Sequence, residues 1–289
     1  MSALVRRRID ATITLGGGDK FGDMVSDTIT VTGLRIMAAI NSVGGEAQGQ
    51  ATIRIFGLDL STMNKLTSIG PILTQIRLKN TIQLSAGDEG GAMTVVFNGV
   101  INTAYAELNS APDVALTIVA FSAMGAAIKP VAASSFVGGT DVGAIMQGLA
   151  NQAGFAFKND GVTKVLSNPY FSGTILDQIK SCARAAGINH AINNNVLKIW
   201  PAGTNTTDPV IRLSPSTGLV GYPTLNSQYI MLRSVFIPNA ALGQQVEVSG
   251  SEVSAVNGTW TIFTVMHNLE AQTPGGQWFT ELQVFTNGN

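Results

Sequence analysis

The chain has 289 residues, enough for one large domain or two to three small ones. Hydrophobic residues make up 45% of it, but only 12% are Asp, Glu, Lys or Arg, against about 25% in ordinary soluble domains. A surface so poor in charge is either uncharged polar or buried against partners, which favours an oligomer, and a net charge of -1 argues against electrostatic nucleic-acid binding while leaving room for a neutral channel through which DNA slides.

From the N-terminus to about Met124, β-branched runs alternate with Gly, Asn and Asp punctuation. Ile9–Leu15 alternates apolar and polar residues as a half-buried strand should, and Thr28–Thr32, Ala51–Phe56 and Thr81–Ser85 repeat the pattern. Met93–Ile101 and Val114–Phe121 complete six to eight strands, which reads as a β-barrel. Leu58–Ile69 reads as a short helix with Asp59 or Ser61 as its cap.

The texture changes between about Gly139 and Pro201. Thr140–Ala150 opens with capping chemistry and spaces Val142, Ile145, Met146 and Leu149 helically. A second helix opens at Gly173-Thr174-Ile175 and stops at Gly187. Short strands are expected at Phe155–Phe157, His190–Ile192 and Val196–Trp200, with Asn193-Asn194-Asn195 as the turn between the last two. Beyond about Thr206 the chain is β-rich again, with strands at Val210–Leu213, Tyr229–Phe236, Gln245–Ser249, Thr259–Met266 and Trp278–Phe285. Ile82–Ser85 echoes Val246–Ser249, and Thr117–Phe121 echoes Glu281–Phe285 at the same spacing, so either the barrel is duplicated or two generic hairpins happen to match.

Catalytic and metal chemistry are missing from the pattern. Cys182 is the single cysteine, which excludes an internal disulfide and a cysteine-based zinc site; in a helical stretch it reads as a buried thiol, with His190 the one local candidate to activate it. His190 and His267 are too few and too far apart to announce a metal site, and His267 reads as a locally bonded residue at a strand end. Gly16-Gly17-Gly18-Asp19-Lys20 lacks the ending and the helix of a phosphate loop and reads as a hairpin tip. The acids Asp19, Asp23, Asp27, Asp88, Glu89, Glu247 and Glu252 lie in or beside Gly-rich loops, as solvated carboxylates do. Arg6-Arg7-Arg8 reads as the solvated flank of the first strand rather than a phosphate clamp. No run approaches the roughly 18 apolar residues of a membrane span, and the N-terminus lacks a signal peptide's apolar core, so cytosolic synthesis is expected. No catalytic, cofactor-binding or metal residues are therefore assigned, and the expectation is a protein that is not an enzyme.

The most distinctive segment is Ser216-Thr217-Gly218-Leu219-Val220-Gly221-Tyr222-Pro223-Thr224, extended, with a proline that no central strand accepts. It leads into Ile230–Asn239 and then Leu242-Gly243-Gln244-Gln245-Val246. With Gly258–Ile262, His267-Asn268-Leu269 and Trp278-Phe279-Thr280, this run resembles the second-barrel signature of central baseplate hub proteins of contractile-tailed bacteriophages; the order Pro238-Asn239 departs from that family's asparagine–proline. The motif spans about a quarter of the chain. The resemblance implies a mainly β, α+β protein built of two tail-tube-like barrels and a small inserted α+β module: residues 1–128, 206–289 and 129–205 respectively. It implies a homotrimer whose six barrels form a pseudo-sixfold ring, joining a trimeric spike to the hexameric tail tube. Further partners would be other baseplate and tape-measure proteins, with DNA only in transit, no stable membrane binding, assembly in the host cytoplasm and residence in the virion tail. Two readings from other classes remain beside it. One is a tail-associated peptidoglycan hydrolase using Asp141, Asp160 and Asp177; the other is a carbohydrate-binding β module with Trp200, Trp260 and Trp278 as platforms.

Overall fold

The computed structural model describes residues 5–21, 26–44, 47–67, 80–109, 111–128 and 131–285. The first β-rich part holds β1 (Arg7–Thr14), β2 (Thr28–Val31), β3 (Ile36–Val43), β4 (Gln50–Phe56), β5 (Thr81–Asp88), β6 (Met93–Glu107) and β7 (Ala115–Phe121). Helix α1 (Leu60–Leu66) lies between β4 and β5, and Asp59, not Ser61, caps it by accepting from the Thr62 amide at 2.9 Å. The last two residues expected in this helix, 68 and 69, lie outside the described residues. The strands curl round one core in which Ile9, Ile13, Ile36, Ile53, Ile82, Leu84 and Ile118 point inward, the period-2 alternation read from the sequence.

The middle part is α+β as expected. Helix α2 (Met124–Ile128) precedes the short strands β8 (Ser134–Ser135) and β9 (Gly139–Asp141), followed by α3 (Val142–Ala153) and β10 (Ala156–Asn159). Then come β11 (Val165–Ser167), β12 (Tyr170–Phe171), α4 (Ile175–Ala186), β13 (Ile188–Asn193) and β14 (Val196–Pro201). Asp141 caps α3, and Thr174 with Asp177 forms a reciprocal capping box on α4. Gly154 and Gly187 end these helices in the left-handed conformation, where a side chain would be strained. Asn194 and Asn195 both have positive φ, the geometry of the two-residue turn that joins β13 to β14. The buried faces of α3 and α4 pack with Leu197 and Ile199 into a second core.

The final part holds β15 (Ile211–Leu213), β16 (Thr224–Leu225), β17 (Ile230–Val235), β18 (Gln245–Val248), β19 (Gly258–Ala271) and β20 (Trp278–Phe285). Here the architecture departs from two self-contained barrels. The outer parts form one 13-stranded sheet, ordered β16-β17-β20-β19-β3-β4-β7-β6-β5-β1-β2, with β18 and β15 branching from β19. The joint is the antiparallel ladder from Thr264↔Val43 to Ala271↔Ile36. Leu269, Ala271 and Trp278 cross it and are buried in the first core rather than in the one built by Leu232, Val246, Ile262 and Leu282. Burying a leucine in this way stabilises the joint by about 1.5–3 kcal/mol.

The sequence echo proves to be a repeat of topology. The order β5-β6-β7-β4-β3 in the first part matches β18-β19-β20-β17-β16 in the last. The registers match too. Ile101 faces Ala120 and Thr103 faces Val119, leaving Asn102 bulged; Ile262 faces Val284 and Thr264 faces Gln283, leaving Phe263 bulged. The bulge occupies the same place in both copies, which chance similarity between hairpins does not explain.

Candidate assembly surface

Because the sheet runs unbroken across the joint, its outer face is one continuous surface. Along a single cross-strand row lie Phe279, Asn268, Ala39, Thr52, Val119 and Thr103, all uncharged. Charges in the neighbouring rows are largely matched. Arg233 lies 3.7 Å from Glu281 and stacks over the Phe279 ring at 4.2 Å; Arg54 reaches Glu107 at 2.6 Å, where the Thr117 hydroxyl also donates. The hydrogen bond from Thr117, reinforced by Arg54, holds the Glu107 carboxyl below its ordinary value.

A cleft of about 690 Å³ opens where the three parts meet. On its wall Lys158 lies 3.0 Å from Asp208 and 3.3 Å from Asp160, and Lys198 pairs with Asp208. Asp160, almost wholly buried, accepts from the Thr207 hydroxyl at 2.7 Å. Burial opposes ionisation of Asp208, but hydrogen bonds from Lys198, Lys158 and Thr206 outweigh it and hold its carboxyl at about 2. The cluster fastens β10 and β14 to the chain entering the last part. On the other wall Asn194 donates to the Val95 carbonyl of β6 at 3.2 Å. Sequence reading missed this cluster; Asp208 beside Pro209 offered no pattern to mark it.

The residues weighed as chemical candidates are occupied structurally. Asp141 and Asp177 cap helices, and Asp160 accepts from Thr207. Trp200 and Trp278 are buried, and Trp260 donates its indole N–H to the Val256 carbonyl at 2.8 Å, so none is an open sugar platform. Burial pushes the Cys182 thiol up to about 12, far from a reactive thiolate. His267 sits inside β19, not at a strand end; its Nδ1 lies 3.0 Å from the Thr280 hydroxyl on β20, and burial depresses it to about 4. His190, on β13, is half-buried. Asp88 pairs with Arg7, Arg8 with Asp10, Glu247 with Arg212, and Glu252 with the Tyr222 hydroxyl. Asp27 bonds its neighbour Thr28, and the Gly16 amide is tied to Asn80. Asp23 lies outside the described residues. Among the described residues no group of three His, Cys, Asp or Glu could hold a metal, and no helix is long and apolar enough to cross a membrane.

The Ser216–Thr224 segment runs along the outer edge of β17. The Val220 amide donates to the Arg233 carbonyl, the Val235 amide donates to the Gly218 carbonyl, and Thr224 and Leu225 pair with Met231 and Ile230. Its glycines have local reasons. Gly218 has φ +109° and would set a Cβ 2.6 Å from Val235; at the following corner Gly243 has φ +76°, and a Cβ there would fall 2.6 Å from the Trp200 ring.

Comparison with known proteins follows this geometry. The solved tail protein of Neisseria meningitidis MC58 superposes with a TM-score of 0.62 at 10% identity, over 97% of each chain. The 43 kDa tail protein of prophage MuSo2 from Shewanella oneidensis gives 0.60 at 10% identity, over 96% of this chain and 97% of that one. The E. coli c3393 protein, a type VI secretion component described as similar to the T4 tail proteins gp27 and gp5, gives 0.57 at 13% identity, over 87% and 73%. These likenesses concern the fold. No curated protein matches the chain in sequence. The family model described as baseplate hub gp41 matches residues 8–278. With the β3–β19 joint, the middle module and every strand of the sheet but β20 and the first residue of β1 inside that match, the chain belongs to the baseplate hub gp41 family, a family of structural phage tail proteins.

Proposed function

We propose that this chain is the ring-forming hub of a baseplate: a homotrimer joining a trimeric spike to the sixfold tail tube, with DNA passing through its lumen. The observation that carries the reading is the joint between β3 and β19, which makes two repeats of one topology into one continuous sheet. Three chains with two repeats each present six similar units around an axis, and a closed ring covers strand edges that would otherwise invite aggregation. The outer face described above is the candidate lumen wall. Its uncharged central row and internally paired charges give phosphates little to bind. The division into 1–128, 129–205 and 206–289 belongs to this proposal, with the middle module placed to meet other baseplate or tape-measure proteins. So do assembly in the host cytoplasm and the lack of any catalytic, cofactor or metal site.

The low charge of the chain fits surfaces destined for neighbours. Light scattering on the purified protein tests the reading, followed by negative-stain imaging. A mass of three times 30.2 kDa and a ring with an axial hole are expected. A monomer that stays monomeric at high concentration and with a spike protein present would overturn it.

A further inference from the structure

The two repeats carry an outward arginine at the same place. Ala120 faces Ala51 and the matching Val284 faces Ile230, so Arg54 of β4 and Arg233 of β17, three residues further along each strand, are equivalent. Each lies over a phenylalanine ring, Arg54 over Phe56 at 5.3 Å and Arg233 over Phe279 at 4.2 Å. Each stands beside a carboxylate, Glu107 at 2.6 Å and Glu281 at 3.7 Å. In both, Nε is buried without a hydrogen-bond partner, so the two share an orphan atom as well as a position.

The groups that serve these arginines are not equivalent. Glu281 lies on β20 directly opposite Arg233, whereas the residue opposite Arg54 is Thr117. Glu107 lies on β6, and counting on from the bulges its counterpart on β19 is Asn268. The ring changes strands in the same way: Phe56 faces Ala115 in the first repeat, and Val235 faces Phe279 in the last. Each repeat thus holds the arginine, a ring and an acid, with ring and acid drawn from different strands. A duplicated ladder explains the arginine but not the acid, which would sit at the same position in both if one particular contact were what mattered. What the repeats share is the outcome, a stacked guanidinium whose charge is cancelled. The aromatic face attracts the cation, and the carboxylate beside it leaves a dipole whose field falls off faster than that of a free charge.

These groups are within reach of a molecule moving along the outer face of the sheet. Arg54 alternates with the buried Ile53 and Ile55, and Arg233 with the buried Leu232 and Ser234. The side chains of Arg54 and Glu107 are 39% and 31% exposed, and those of Arg233 and Glu281 are 42% and 25% exposed.

We propose that Glu107 and Glu281 are charge masks, which in the assembled ring keep six arginines from holding the phosphates of passing DNA. This rests on the ring reading, in which the outer face lines the lumen, and it names the residues that keep that lumen from sticking. The arginine fork matches phosphate closely, so six unmasked arginines around one axis would form a collar for a polyanion. With each acid in place the collar is neutral.

The test uses the full chain, purified as the trimer, and a short fluorescently labelled DNA duplex followed by anisotropy at about 50 mM salt. Glu107→Gln with Glu281→Gln keeps the shape of both side chains and the acceptor for the Thr117 hydroxyl while removing both charges. Binding at least about tenfold tighter than the parent's is expected, lost again as salt is raised to about 200 mM. Adding Arg54→Gln and Arg233→Gln should return binding to the parent's level. If the double variant fails to assemble, Glu281→Gln alone leaves the Glu107–Thr117 contact intact, and a gain of about threefold is expected from it. An assembled variant that holds DNA no more tightly than the parent, or a gain that survives loss of the arginines, would overturn the masking and leave the ring reading standing. A chain that is monomeric by light scattering at every concentration would overturn the ring reading and the masking with it.

Discussion

Asn102 and Phe263 are the same residue of a repeated ladder, each the extra residue that bends a long strand where its ladder with the strand before it, β5 or β18, ends. Before Phe263 β19 pairs with β18, and after it with β3. The ring of Phe263 lies against Phe285 at 5.8 Å, and its carbonyl accepts from the Gly44 amide at 2.8 Å, where β3 ends. A bulge raises local twist and re-aims the strand, which lets one strand serve two halves of a sheet.

The glycine at the corner before β18 is a packing requirement. Gly243→Ala would place a methyl 2.6 Å from Trp200 at a φ of +76°, so strain and clash add. A loss of about 2–4 kcal/mol in urea unfolding is expected. Gly221→Ala, at φ +68° but with nothing within 4 Å, should lose only about 1 kcal/mol. Equal losses would show that the Trp200 contact carries no weight.

Asp208 should bind the middle module to the last part in a pH-dependent way. Its folded carboxyl sits at about 2, below the ordinary value near 3.9, so its contribution is present above about pH 4 and disappears as pH falls towards 2. Asp208→Asn should cost about 2 kcal/mol at pH 7 and flatten the stability profile between pH 4 and 2. A profile identical to the parent's in that window would refute the assignment.

His267 acts in a separate window. Burial keeps it neutral in the fold to about pH 4, while the unfolded side chain takes up a proton near 6.5. The His267 contribution to stability should therefore be constant above pH 7, fall as pH drops from about 6.5 to 4, and level off below. The full effect is about 3 kcal/mol at most. In His267→Gln that slope should disappear, read from denaturation midpoints at pH 7 and pH 4.5.

Cys182 should be silent in the folded protein. With its thiol pushed up to about 12 and no exposure to solvent, it should not react with a thiol reagent at pH 8 until denaturant is added. Rapid labelling of the native chain would mean that the α3–α4 module opens readily.

Local chemistry made much of this protein legible from its residues. Alternation in Ile9–Leu15 and Ala51–Phe56, the caps at Asp141 and Thr174, the stop at Gly187 and the Asn194-Asn195 turn are each decided by near neighbours, and each appears where the sequence places it. The edge character of Ser216–Thr224 was legible for the same reason, because a proline cannot donate to a ladder. Strand β3 was not. In Ile36–Val43 the outward positions include Met37 and Ala39, which lie on the continuous outer face, so the polar half of the alternation is missing. The far ends of β6 and β19, to Glu107 and Ala271, were missed as well; there the strands run on as hairpins with β7 and β20, and β19 also lies against β3. The echo between the β-rich parts pointed to a repeat, but the bulges at Asn102 and Phe263 that align it emerge only once the ladders are formed. Composition and local pattern determined that this is a charge-poor, mainly β protein with an α+β module. The tertiary structure alone decided that its β-rich parts are one sheet, because pairing between distant strands depends on which edges meet, and no short stretch of sequence encodes that.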